Sequence, residues 1–269
     1  MAAVCGGYAK HSKLGVRAAF IIRFAAKPNS TWPSLKFHPI VRKMKSIQTP
    51  LLAYVVASAT LLFIAATAQA QEIKGDAKAG QGKASLCIGC HGIQGYQASF
   101  PEIYKVPKIS GQGGKYIIAA LNAYKKGDRK HPTMRGISET LSDQDMADLA
   151  AYYEVHGRVE GTSLPAQPAK TPAPAVVALL QKGACVSCHG NNFAMPIDPT
   201  YPKIAGQYSD YLFVALKAYK VEGNAKVGRA NGIMGGIAKQ FTNAELKAMA
   251  GYISTVDGDL KTVPQSRFR

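Results

Sequence analysis

The chain has 269 residues, with 33 Lys and Arg against 16 Asp and Glu, a formal net charge of +17 that would ordinarily raise nucleic acid as a partner. The excess is unevenly placed: residues 1–70 hold nine of the basic side chains and no acidic one, leaving 24 against 16, a balance of +8, over residues 71–269. That remainder lacks dense Lys/Arg runs interleaved with aromatics, so no nucleic-acid partner is expected, and its length allows one large domain or two of about 100 residues.

Residues 1–43 carry eight basic side chains and no acidic one, and "VRAAFIIRFAA" has the composition of an organellar transit peptide. A complete export signal nevertheless begins at Met44. Lys45 supplies a basic start, Leu51 to Ala66 an apolar stretch, and Ala68 and Ala70 an A-x-A site, which predicts a signal peptide over 44–70 cleaved after Ala70. The rival, an uncleaved anchor over Leu51 to Ala68, falls short of the ~20 residues that span a bilayer. Residues 1–43 are therefore read as an upstream extension from an early start codon, with no function given to Cys5 or Trp32. Export to the periplasm places the remaining thiols where they oxidise unless something captures them.

The rest of the chain is written twice. "CIGCH" at 87–91 returns as "CVSCH" at 185–189, and "VPKISGQGGKYIIAALNAYKKG" from Val106 returns as "YPKIAGQYSDYLFVALKAYKVEG" from Tyr201. "LSDQDMADLAAY" from Leu141 returns as "FTNAELKAMAGY" from Phe241. Between the copies, "GRVEGTSLPAQPAKTPAP" from Gly157 to Pro174 reads as an extended linker. Domain 1 is placed at 71–160, the linker at 161–171 and domain 2 at 172–269. Apolar stripes of helical period run through Tyr116, Ile117, Ala120, Leu121 and Tyr124, and through Tyr211, Leu212, Ala215, Leu216 and Tyr219. A last helix follows in each copy through Met146, Leu149, Ala150 and Tyr153, or Leu246, Met249, Ala250 and Ile253. Ser142 and Thr242 stand at its N-cap, Glu245 completes a capping box in the second copy, and Gly157 and Gly258 are the expected stops. No sustained alternating strand pattern occurs, so the expected fold class is all-α in two tandem domains.

A domain of some 90 residues with three or four short helices has a thin core and needs a staple. Haem bonded through two cysteines, with the next residue a histidine beneath the iron, explains why Cys, Cys and His occur together and in that order. Zinc would want paired Cys-x-x-Cys units about 15 to 20 residues apart, not the 94 that separate these across a linker. A thioredoxin-like site lacks its strand-helix-strand frame, and two simple disulfides leave His91 and His189 unexplained. The reading is therefore two covalent haem c groups, on Cys87 and Cys90 and on Cys185 and Cys188, with His91 and His189 as axial ligands.

For the sixth iron ligand, Met134 in "HPTMRGI" and Met234 in "NGIMGGI" occupy duplicated positions 43 and 45 residues after His91 and His189. Met146 and Met249 lie on helix stripes and are read as core, and Met195 lies too near His189 in sequence. His131, a competitor for the first site, is read as a surface or hydrogen-bonding residue, and His156, at a helix end, as a capping or dipole residue. Lys125, Lys126, Arg129 and Lys130 precede Met134, as Lys217, Lys220, Lys226 and Arg229 precede Met234. They are either docking patches for acidic partners or solvated helix ends.

These residues resemble the dihaem cytochrome c4 group, two class I cytochrome c domains in tandem. The resemblance covers nearly all of residues 71–269, through both Cys-x-x-Cys-His sites, the Pro-Lys-Ile-x-Gly-Gln stretches at 107–112 and 202–207, and both Met loops. It implies that Pro107 and Pro202 offer backbone carbonyls to the axial histidines. It also implies a periplasmic electron shuttle to terminal oxidases; the expected partners are a quinol-cytochrome oxidoreductase and a terminal oxidase, and peripheral association with the membrane is left open. Two other functions remain open at this stage: a cytochrome subunit of a dehydrogenase, such as a sulfide-oxidising flavocytochrome, and a dihaem oxidoreductase or peroxidase with an exchangeable iron site.

Overall fold

Each half of the chain is a set of short helices, several of which open on a side-chain cap that the sequence supplies locally: Asp76, His131 and Ser142 in the first half, Asn231 and Thr242 in the second. The structure, a computed structural model, describes residues 73–264; the extension over 1–43, the signal peptide over 44–70, Cys5 and Trp32 lie outside the described residues.

In the first half, Asp76 accepts the N–H groups of Lys78 and Ala79 and so opens α1 (Ala77–Lys83). The pentapeptide forms the end of α2 (Ser85–His91). A loop with a two-residue antiparallel ladder, β1 (Gln97–Ala98) against β2 (Tyr104–Lys105), leads to α3 (Gly114–Lys126), which stops at Gly127 in the left-handed region, φ 84°. After β3 (Arg129–Lys130) come α4 (Pro132–Glu139) and α5 (Asp143–Val155). Ser142 caps α5 with Asp145 in a reciprocal box, so the capping box expected only in the second copy exists in both, aspartate standing for glutamate here. Gly157 has φ 76° just past the α5 cap, as its sequence position predicts.

The second half repeats the plan with α6 (Pro174–Lys182), α7 (Cys185–His189), α8 (Ser209–Ala218), β4 (Gly228–Arg229), α9 (Gly232–Ala238) and α10 (Asn243–Ile253). Two expectations are corrected. The α8 stripe ends one residue early, with Tyr219 as the cap rather than a helical residue. Gly258 does not stop α10, which is capped at Ser254; it lies where a side chain would come within 2.5 Å of the Ala205 carbonyl.

In each half the first and last helices cross and the third packs beside them. Gly80 of α1 touches the α5 backbone so closely that a Cβ there would lie 2.0 Å from the Asp148 carbonyl oxygen. Met146 and Met249 are 0% and 4% exposed inside the two apolar clusters, as their stripe positions predict. The small ladders were not expected. β3 pairs with β4 across the two halves, Arg129 opposite Arg229, so one of the two ladders joins the domains. The segment after α10 also reaches back: Lys261 donates its N–H to Ser110 and its Nζ to the Gly157 carbonyl.

Candidate functional site

Helix α2 ends on Cys87, Cys90 and His91, and α7 on Cys185, Cys188 and His189; one helical turn puts both thiols and the imidazole at the same helix end. His91 Nδ1 donates to the Pro107 carbonyl at 2.8 Å and His189 Nδ1 to the Pro202 carbonyl at 3.0 Å. The bond assigns the proton to Nδ1 and leaves each Nε2 with a free lone pair, the state a metal ligand needs. Burial pushes both imidazoles below the ordinary histidine value, the carbonyl bonds opposing it, so both rings are neutral near pH 7. The four pentapeptide cysteines form no disulfide among the described residues, which leaves each sulfur available for a thioether bond.

Both pentapeptides open into a cavity of about 830 Å³. Met134 and Met234 line it too. Each methionine sits in the first turn of a short helix, and its backbone N–H is capped by the side chain three residues earlier: His131 Nδ1 at 3.3 Å for Met134, Asn231 Oδ1 at 2.9 Å for Met234. His131 therefore uses its Nδ1 lone pair on the backbone, which is the work its counterpart Asn231 does with a carboxamide oxygen. His156 occupies the C-cap of α5, where its backbone N–H donates to the Tyr152 carbonyl, while its ring Nδ1 bonds Ser110 Oγ at 2.9 Å.

The cavity's chemistry fits a haem. Arg129 and Arg229 lie on its wall, each bonded to a tyrosine hydroxyl, Tyr116 at 3.2 Å and Tyr211 at 3.1 Å. Each also stacks over two tyrosine rings, Tyr116 and Tyr124 or Tyr211 and Tyr219. Among the described residues neither guanidinium meets a carboxylate, so two adjacent cations lack a counterion that a porphyrin's carboxylate arms would supply. The Tyr153 hydroxyl is buried against the Cys87 sulfur. Zinc fits poorly: among the described residues no group of three or more His, Cys, Asp or Glu is placed so that it could hold a metal ion together.

The eight basic residues singled out in the sequence are mostly used internally. Lys125 and Lys220 donate to the Leu141 and Phe241 carbonyls, Lys217 pairs with Glu102, and Lys130 donates to Asn224, while Lys126 and Lys226 remain exposed. Sequence reasoning overlooked the arginine–tyrosine cluster and Gln112 and Gln207, although the repeat carries each of them twice.

The cytochrome c family model matches residues 77–154 and 175–257. A cytochrome c4 of Stutzerimonas stutzeri is 33% identical over 190 residues, covering 66% of this chain and 88% of that protein. A protein of the same species named thiosulfate dehydrogenase electron acceptor is 30% identical over 220 residues, covering 79% of this chain and 97% of its own length. The crystal structure of reduced recombinant cytochrome c4 from Pseudomonas stutzeri superposes with a TM-score of 0.50 at 30% identity, over 68% of this chain and 100% of that one. With one cytochrome c domain in each half, and covalently attached haem c implied at both Cys-x-x-Cys-His sites, the chain belongs to the dihaem cytochrome c4 family.

Proposed function

We propose that this dihaem electron carrier works in the periplasm and passes single electrons from a quinol-cytochrome oxidoreductase toward a terminal oxidase. Its irons would be ligated by His91 with Met134 and by His189 with Met234. Bound haem supplies a one-electron ferric/ferrous couple at each site. Cys87 and Cys90, and Cys185 and Cys188, hold it through thioether bonds; Pro107 and Pro202 fix the ring planes of the histidines; His131 and Asn231 fix the backbone from which the methionines reach. The observation that carries the reading is the twofold occurrence of one arrangement on a single cavity. In it a neutral imidazole with a free Nε2 and a capped methionine both line the wall. The thioethers of Met134 and Met234 would leave bound haem no open site for small molecules and would favour its ferrous form. Among the described residues no helix is long and apolar enough to cross a membrane, which is compatible with peripheral association.

Pyridine haemochrome quantitation should give two haems per chain, and Met134→Ala or Met234→Ala should each halve the far-red band of methionine-ligated ferric haem. An unchanged band would remove that methionine from the ligand set. Carbon monoxide binding to the reduced, intact protein would instead favour the oxidoreductase or peroxidase reading.

A second reading has its own support. The relative named as a thiosulfate dehydrogenase electron acceptor is matched over 97% of its length, which favours a dehydrogenase as electron donor. Co-purification of a dehydrogenase, and reduction of the cytochrome only when that enzyme and its substrate are both present, would select this donor over a quinol-oxidising complex.

A further inference from the structure

The carbonyl that orients each histidine belongs to a peptide unit that the other domain holds. Pro107 C=O, which accepts from His91, shares its peptide bond with Lys108 N–H, and that N–H donates to Gln207 Oε1 at 2.9 Å. Gln207 Nε2 returns a bond to the Lys108 carbonyl at 2.9 Å. The mirror arrangement links His189, Pro202 C=O, Lys203 N–H and Gln112 Oε1, the last bond also 2.9 Å, with Gln112 Nε2 donating to the Lys203 carbonyl at 2.9 Å. Each glutamine oxygen accepts a second N–H, from Gly113 or Tyr208, so the amide cannot be flipped without setting donor against donor. Gln112 and Gln207 are each 4% exposed.

Hydrogen bonds in series through a peptide group polarise one another. An acceptor on Lys108 N–H puts more negative charge on the Pro107 oxygen, strengthens its bond from His91 Nδ1–H, and makes the imidazole a better electron donor. We infer that Gln207 and Gln112 are positioning residues that act across the domain boundary, Gln207 tuning the iron bound by His91 and Gln112 the iron bound by His189. The inference rests on the histidines being iron ligands. Each domain then senses whether its neighbour is docked: parting them opens both clamps and moves both irons toward the ferrous form.

The test uses the full-length holoprotein. Each haem is titrated separately by NMR of its ring methyl groups, assigned to Cys87 and Cys90 or to Cys185 and Cys188 by through-space contacts. Gln207→Met keeps the volume but removes the acceptor. It should raise the ferrous-to-ferric equilibrium constant of the haem on Cys87 and Cys90 about threefold, a size expected for loss of one cooperative bond, and leave the other haem unmoved. Gln112→Met should do the converse. Gln207→Glu restores an acceptor for Lys108 N–H and should return the domain 1 haem to its starting value or below. Equal shifts at both haems, a shift in the glutamine's own domain, or no shift would each overturn the inference. The ligand assignment is read independently in the unmutated protein. If the His91 or His189 ring protons lack a hyperfine shift, the ligation reading fails whatever the glutamine variants do.

Discussion

At the scale of single residues, the nitrogen a histidine leaves free decides its role. His91 and His189 give Nδ1–H to a proline carbonyl and leave the Nε2 lone pair free, whereas His131 turns its Nδ1 lone pair on the Met134 N–H and cannot at the same time ligate through that atom. Burial lowers the His131 pKa, so the ring is neutral and its lone pair is available to cap. His131→Asn should leave the far-red band intact and the melting temperature within a degree or two, because asparagine caps at least as well. His131→Ala should cost about 1 kcal/mol in chemical denaturation. Loss of the band in the asparagine variant would mean that the imidazole serves the iron. The haem-attaching cysteines were legible because their chemistry is written in five adjacent residues, and the same five residues put His91 and His189 forward as proposed ligands. The cap was less so, since histidine in place of asparagine hides the equivalence that the aligned "HPTM" and "NGIM" carry.

At the scale of helices, the joint between α1 and α5 carries a charge network. The Asp148 carboxylate, 3% exposed, accepts from Lys83 Nζ at 2.6 Å, the Asp76 N–H at 2.8 Å and Gln144 Nε2 at 2.7 Å. Lys83 foremost, and then the Asp76 N–H, hold its pKa below the usual carboxylate value, against burial, which raises it. A depressed folded-state pKa contributes stability that is fully present above the unfolded value, about 3.9, and is lost as pH falls through the lower folded value. Asp148→Asn should therefore melt a few degrees below the parent at pH 7, and the gap should close as the pH drops below about 4. A gap that stays constant through that range would assign the effect to packing. Helical periodicity made α3, α5, α8 and α10 readable in advance. The two-residue ladders were not, because two residues carry no alternation and their pairing is imposed by what lies opposite.

At the scale of the molecule, the two halves meet through copies of the same stretch. Besides the glutamine clamps, Lys105 pairs with Asp210 at 3.1 Å, Lys217 with Glu102 at 2.5 Å, and β3 with β4, while the residues after α10 lie along domain 1. Residues 158–163 of the connection are exposed and have few bonds of their own. Proteolytic cleavage within 158–171 should leave the halves co-eluting in gel filtration; separation would mean that the tether, not the interface, holds them.

The sequence by itself determined the haem-attaching cysteines, the main helices and the twofold plan, because covalent attachment, helical period and capping are relations between residues close in the chain. Only the tertiary structure decided that Arg129 faces Arg229 and that each glutamine grips the peptide unit whose carbonyl accepts from the other domain's pentapeptide histidine. Those pairings join residues 91 to 100 positions apart. A polar side chain buried at such a distance takes its partner from the surface that folding brings to it, and no local pattern records which surface that will be.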